Sequence, residues 1–397
     1  NTLMPDGEKA ANFISQRTRL NLDHTNKNFR VRFSLQNVGV WGETGTLSRS
    51  DINGTAIHEA WGEVFLGDKF AIKAGRQEII YDDHRIFGSV DWTQQGRSHD
   101  AAILKIKPKE NCNIDIGAAY NARRESNFKE FYFQNNYKTF QFAHWHRDFN
   151  DFGASILILN NGLTYIDIDD TTQNGNSTEK IAFSQTLGTR LTYKSGKFSA
   201  NGAFYYQMGE TTVDTSGDGT MDAPFDLSAI YASADFSVEV ADNFTAGAGL
   251  EYLSGNEVNT SLSEDGAFKP FYGTNHKFNG WMDYFYVGNH MNSIGLIDVY
   301  LPLIYKSGPI TATLVVHSFH SPVDLFDVDE DYDETLGTEA DLMVGYTISE
   351  TATIRAGYSH MFATEQMEVL KGGNKDKINN WAWVMLDLKP MFFKQEK

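Results

Sequence analysis

Four consecutive residues, Asp82, Asp83, His84 and Arg85, carry side chains from which acid–base chemistry is built. They sit in "GRQEIIYDDHRIFG" (75–88), with Tyr81 just before them and Asp91 a few residues on. A carboxylate beside a histidine can pass protons, and an arginine can steady an anion. Catalysis would also need a nucleophile, or an acid and base held together in a dry pocket. No Gly-x-Ser-x-Gly elbow and no His-Glu-x-x-His motif accompanies the four. The competing reading is a polar loop anchored by ion pairs, and the flanking segments must decide.

Those segments show no seam. The chain has 397 residues but only 8 Pro, and no Pro-rich or Ser-rich linker divides it, so 1–397 reads as one domain. A net charge of -18 argues against nucleic acid, which wants a basic footprint. The single Cys112 leaves no disulfide framework and no cysteine metal cluster. No apolar run approaches the roughly 20 residues of a membrane helix. No signal peptide is visible, so the sequence reads as a mature or trimmed product. The mean hydropathy of -0.41 would suit a soluble protein. It equally suits a barrel whose polar lumen and loops outweigh its lipid belt.

Alternation decides between these. In "NFRVRFSLQ" (28–36), Phe29, Val31, Phe33 and Leu35 face one way and Arg30, Arg32, Ser34 and Gln36 the other. "NIDIGAAYN" (113–121), "NFTAGAGLEY" (243–252), "TATIRAGYS" (351–359) and "WAWVMLDLK" (381–389) repeat the pattern. Period two predicts half-buried strands. Short turns such as "DHTNKN" (23–28), "GDK" (67–69) and "SGK" (195–197) alternate with long polar loops. The long loops fall near 79–95, 160–181, 209–225, 254–291, 319–335 and 363–379, among others. Tight turns on one rim and long loops on the other predict an all-β, transmembrane antiparallel up-and-down β-barrel. Seventeen strands are legible. Bacterial barrels usually have an even number, so 18 are expected, the first lying upstream of Asn1.

Two blocks then carry a resemblance: "GRQEIIYDDHRIFGSVDWTQQGRSHDA" (75–101) and "FYGTNHKFNGWMDYFY" (271–286). With "FISQRTRLNL" (13–22) and the strand spacing, the chain resembles the alginate-export family of bacterial outer-membrane barrels, in the style of Bacteroidota members. The resemblance implies an 18-stranded barrel in the outer membrane with inward-folded loops, passing an anionic polysaccharide. It also implies a Gram-negative envelope with lipid and lipopolysaccharide around the wall, and no cofactor.

The face assignment gives candidate residues for the solute path. Arg17, Arg19, Arg30, Arg32, Lys73, Arg76, Arg97, Lys105, Arg190 and Arg355 read as lumen-facing cations. Glu59, Glu63, Asp115, Asp235, Glu251, Asp298, Glu339, Asp341 and Asp387 read as lumen-facing acids. Charge arrayed in a pore sets ion selectivity. Asp82, Asp83, His84, Arg85 and Asp91 are then expected in a constriction loop, held by ion pairs from Asp82, Asp83 and Asp91 to barrel arginines. The leading expectation is a passive channel for an anionic or oligosaccharide solute. The alternative is a plugged scaffold barrel that binds protein partners in the envelope, and an exporter would need such partners too, since a passive pore supplies no energy.

Three smaller constellations complete the reading. Asp214, Ser216, Asp218, Thr220 and Asp222, with Gly219, follow the spacing of a calcium loop. The twelfth position holds Phe225 instead of Glu, so a plain Asp/Gly turn competes with calcium. "HWH" (144–146) has zinc-like spacing but no third ligand, and Trp145 suits an interfacial aromatic belt. "KGGNKDK" (371–377) could meet lipopolysaccharide phosphates, a solvated loop being the plainer reading.

Overall fold

A computed structural model describes residues 2–47, 54–128, 130–132, 137–169, 176–212, 224–257, 264–286, 290, 294–323 and 334–393. Strands dominate it. The wall opens with β1 (Ser15–Thr25), β2 (Phe29–Val40), β3 (Thr55–Phe65) and β4 (Phe70–Gln77). It continues with β5 (His99–Lys109), β6 (Cys112–Tyr120), β7 (Thr139–Phe149) and β8 (Phe152–Asp169). Then come β9 (Asn176–Ser195), β10 (Phe198–Thr211), β11 (Phe225–Ala241) and β12 (Phe244–Leu253). A stub, β13 (Glu264–Asp265), precedes β14 (Leu296–Ser307), β15 (Ile310–His320) and β16 (Thr335–Ser349). β17 (Ala352–Ala363), the short helix α1 (Glu365–Lys371) and β18 (Asn380–Leu388) end the described elements.

Each wall strand pairs antiparallel with the next, as an up-and-down barrel requires. The two-residue β13 pairs in parallel with β11 and stays out of the meander. The sheet therefore has 18 strands with β13 and 17 in the wall itself. β1 and β18 both run toward the short-turn rim, and no ladder joins them among the described residues. Their outer ends meet nonetheless: Phe13 and Trp381 lie 5.6 Å apart, and the Leu3 amide donates to the Gly372 carbonyl at 3.2 Å.

The lipid face follows from period two. Leu20, Leu22, Val31, Phe33, Ile72, Leu104, Ile156, Ile158, Leu301, Val344 and Leu386 all point outward and are exposed. No soluble fold leaves such a continuous apolar belt uncovered. A shallow groove of about 590 Å³ lies on this face between Ile72, Leu104, Ile116 and Ile158. In a bilayer, acyl chains fill it. Toward the long-loop rim the outward side chains turn polar. Asn160 donates to Gln141 at 2.8 Å and Gln185 to Asn160 at 2.8 Å, as expected where a wall leaves hydrocarbon for headgroups.

The structure corrects three expectations. Lys73 and Arg76 cannot share a face, since three residues apart on a strand means opposite sides. Lys73 points inward with Ala71 and Gln77, whereas Arg76 points outward, its Nη1 3.0 Å from Asp100 Oδ2. The 160–181 loop is largely strand, because β8 and β9 run on to Asp169 and Asn176. Asn161, inside that expected loop, is buried and accepts the Tyr272 hydroxyl. In the 363–379 loop, Thr364 caps α1 by accepting the Met367 amide at 3.3 Å, and Gly372 ends it.

One packing detail on the inner face is testable. The Tyr205 ring lies over Gly188 so closely that a Cβ there would meet it at 1.8 Å. Gly188→Val is expected to cost about 1–3 kcal/mol by overpacking. The measurement is the temperature at which the folded, fast-migrating gel band disappears, and it should fall.

Candidate functional site

Two loops fold into the barrel and lock together. The first, residues 78–98, joins β4 to β5, and the second, described at 254–257, 264–286, 290 and 294–295, lies between β12 and β14. Phe87 and Tyr272 form an isolated bridge between them and stack with centroids 5.4 Å apart. Phe140, Phe142 and Tyr137 from the wall close around that pair, with Phe87 and Phe140 almost fully buried. Burying such an aromatic side chain stabilises by about 1.5–3 kcal/mol. The Arg97 guanidinium reaches across to the Gly273 carbonyl at 3.2 Å, and Lys277 Nζ donates to the Asp83 carbonyl at 2.9 Å. Arg97 therefore clamps loop to loop, which differs from the strand position expected for it.

The four residues of the opening motif separate on folding. Asp82 faces His144 of β7, 3.3 Å away, and Tyr81 stacks on the same imidazole at 4.2 Å. Burial raises the Asp82 carboxyl, but His144, Ser155 and Arg190 outweigh it and hold the group below the usual range. Asp83 pairs with Arg190 of β9 at 3.2 Å, and its Oδ1 accepts the Arg85 amide. His84 is half-buried, and burial, then Lys277, keep its imidazole more neutral than usual. Asp82 and His84 both have positive φ, at 52° and 75°, which these residue types adopt at a cost. No acid–base pair converges on a common point.

Arg85 goes where sequence gives no hint. It is only 1 % exposed and ion-pairs with Glu251 of β12. Its guanidinium lies 3.6 Å from the Phe278 ring centroid and 4.6 Å from that of Tyr231. Burial opposes the charge, but Glu251, Tyr231 and Asp83 reverse that balance and hold the group above its ordinary pKa. Asn279 of the second loop donates to Glu251 and to Asp298 at 3.0 and 3.2 Å. Arg85 thus ties both loops to the wall.

At the other edge of the first loop, Asp91 accepts from Arg17 at 2.7 Å and lies 3.1 Å from Arg19. Trp92 stacks on His276 with centroids 3.7 Å apart, and His276 pairs with Asp283 at 2.9 Å.

Below these loops the inner face of β1–β6 is rich in cations. A cavity of about 300 Å³ opens there, lined among others by Arg32, Lys73 and Lys105 and by the acids Glu59, Glu78 and Asp115. Arg30 and Arg32 pair with Asp23 at 3.4 and 3.3 Å, Arg32 also with Glu59 at 2.5 Å, and Lys105 with Glu63 at 3.6 Å. Lys73 is the exception. Among the described residues it ion-pairs with no carboxylate, and its Nζ rests 4.1 Å over the Trp61 ring. Trp61 was not singled out in the sequence, although its inward register beside Glu59 and Glu63 was legible. Farther round, Arg355 lies 3.7 Å from Asp387.

Across the ring of strands the acids converge. Glu251, Asp298, Glu339 and Asp341, with His317, form one buried cluster beneath the loops. The sequence marks the four acids as inward but not as neighbours, because register and loop docking bring them together.

The smaller constellations sort out as follows. His144 binds Asp82 while His146 pairs with Asp148 at 3.2 Å, so the two imidazoles serve different partners. The basic loop 371–377 is not a free patch. Burial pushes the Lys371 amine down to about 8, Lys375 pairs with Asp376 and Lys377 with Asp6. The calcium expectation at Asp214, Ser216, Asp218, Thr220 and Asp222 lies outside the described residues.

The fold is that of outer-membrane porins. The chain superposes on Acinetobacter baumannii OccAB1 with a TM-score of 0.62 at 11% identity, covering 98% of this chain and 93% of that one. A BenF-like porin from Pseudomonas fluorescens Pf-5 gives 0.59 at 14%, covering 98% and 96%. The outer membrane protein opdK from Pseudomonas aeruginosa gives 0.58 at 10%, covering 94% and 92%. No protein-family model and no curated protein matches the chain.

Proposed function

We propose that this chain is a passive outer-membrane channel that passes an anionic or oligosaccharide solute along the basic wall of β1–β5, past the two interlocked loops. The observation that carries it is Lys73, a lumen cation that ion-pairs with no carboxylate among the described residues, beside Arg32 and Lys105 in an inner cavity that also holds Glu59, Glu78 and Asp115. A charge left unneutralised in a water-filled lumen attracts the opposite charge in solution. The shared fold with a porin supports passage as the role. Nothing in the loop motif calls for a reaction, because each of its charged groups is spent on holding the loop. The alginate-export type rests on the two sequence blocks at 75–101 and 271–286, and it names polyuronate as the solute to try first. Outer-membrane lipid and lipopolysaccharide would surround the wall, with Arg76 and Asp100 near headgroup height. Periplasmic partners would drive any export.

The test is block of single-channel current in a planar bilayer. Oligouronate is expected to interrupt the current at lower concentration than a neutral oligosaccharide of equal length. Equal block by both would remove the anionic preference.

A second reading, a plugged scaffold that binds envelope partners, draws on the same loop interlock, with Arg85, Phe87 and Tyr284 buried at its centre. A channel that never conducts would favour it.

A further inference from the structure

We propose that the second inner loop is latched to the barrel wall by one proton shared between Glu339 and Asp341, and that loss of this proton releases the loop. Both residues sit on the inner face of β16, two apart in register, and both are 0% exposed. The loop grips them directly. The Met282 amide donates to Glu339 Oε1 at 2.8 Å, and the Trp281 amide to Asp341 Oδ2 at 3.2 Å. Gly280, at φ +83°, presses so close that a Cβ would meet Glu339 Oε1 at 2.6 Å.

The other two oxygens, Glu339 Oε2 and Asp341 Oδ1, are buried and accept from no donor among the described residues. Two residues apart on one face of β16, the two carboxyl groups are immediate neighbours. Two carboxylates offer no donor between them, so that contact becomes a bond only when one carries a proton. Like charges this close in a dry site cannot both ionise without large cost.

The neighbours do not supply the missing charge. His317 of β15 faces the pair, with Nε2 3.8 Å from Asp341, but its Nδ1 is taken by Asp298 of β14 at 2.9 Å. Ser359 of β17 stands opposite Asp341 in the ladder. Tyr284 of the loop faces Glu339, and Tyr300 of β14 faces Glu251 and Asp298. Arg85 serves Glu251, and Lys277 turns away to the Asp83 carbonyl. Four acids, Glu251, Asp298, Glu339 and Asp341, thus meet one arginine and at most one charged histidine.

The latched state holds a proton that the open, hydrated state gives up. Opening is therefore favoured as pH rises through the range between the two states' affinities, by about tenfold per pH unit for one proton. The inference depends on the channel reading only for its consequence, a channel that opens toward alkaline pH.

Hydrogen exchange on the full chain in lipid nanodiscs tests the latch without needing conductance. After correction for intrinsic base catalysis, the Trp281 and Met282 amides are expected to open about tenfold more per pH unit as the pH is raised through the pair's titration. Glu339→Gln supplies a donor at every pH, so the slope should vanish with the loop still protected. Asp341→Asn should do the same by the reverse bond, which covers the case where one variant fails to fold. His317→Asn should keep the slope. A wild type with no slope, a slope retained in both carboxamide variants, or a slope lost in His317→Asn would each overturn the shared proton. A protein that conducts at no pH, yet shows the exchange slope, would sink the channel reading and keep the latch.

Discussion

Arg85→Met is expected to loosen both inner loops while leaving the barrel intact. The substitution leaves Glu251 buried beside Asp298 with, among the described residues, only the Asn279 amide as a close donor. Removing one partner of a buried ion pair costs about 3–5 kcal/mol, chiefly from the charge left behind. That cost falls on the loops, because the ladder bonds of the 17 wall strands do not involve this side chain. Single-channel current should become larger and noisier, and the loop amides should lose protection. The temperature at which the barrel unfolds should change little. Glu251→Gln added to Arg85→Met removes the orphaned charge and is expected to restore most of the quiet current, a coupling that a double-mutant cycle reads directly. Wild-type current and protection in Arg85→Met would mean the loops are held by their apolar contacts alone.

Lys73→Gln is expected to reduce the preference for anions without altering the barrel. Lys73 stacks on Trp61 and bonds no carboxylate, so its removal orphans no buried acid. A unit charge acting at about 8 Å through an effective dielectric of about 40 contributes about 1 kcal/mol, or roughly fivefold in the permeability ratio. Raising the ionic strength should shrink the effect, since the Debye length is about 10 Å at 0.1 M. Arg355→Gln, whose cation already faces Asp387, should shift the ratio far less. Equal shifts from the two substitutions would show that net charge, and not this cavity, sets selectivity.

The wall was legible because strand alternation is a local property. Phe29, Val31, Phe33 and Leu35 face lipid as their spacing requires, and the short and long connections fall on opposite rims. The pairings of Asp91 with Arg17 and of Asp83 with Arg190 follow from a polar loop meeting an arginine-bearing wall. Arg76 shows where counting fails when parity is not applied along a single strand. The fate of Arg85 lay beyond reach: 166 residues separate it from Glu251, and only the docked loops bring them together. The same holds for Glu339 and Asp341, whose surroundings come from β15, β17 and a loop that folds back on them. The helix α1 had a local signal, Thr364 followed by Glu365, with Lys371 and Gly372 at its end. It was masked by the expectation of an outer loop.

The central claim is that this barrel conducts and that Lys73, which ion-pairs with no carboxylate among the described residues, biases it toward anions. The most direct measurement is the reversal potential of the full chain in a planar bilayer between unequal concentrations of potassium chloride. The account predicts an open channel whose reversal potential lies toward the chloride equilibrium potential, moving toward zero in Lys73→Gln. A reversal potential toward the potassium equilibrium value would contradict the basic wall as the solute path. No current at all would contradict the channel itself.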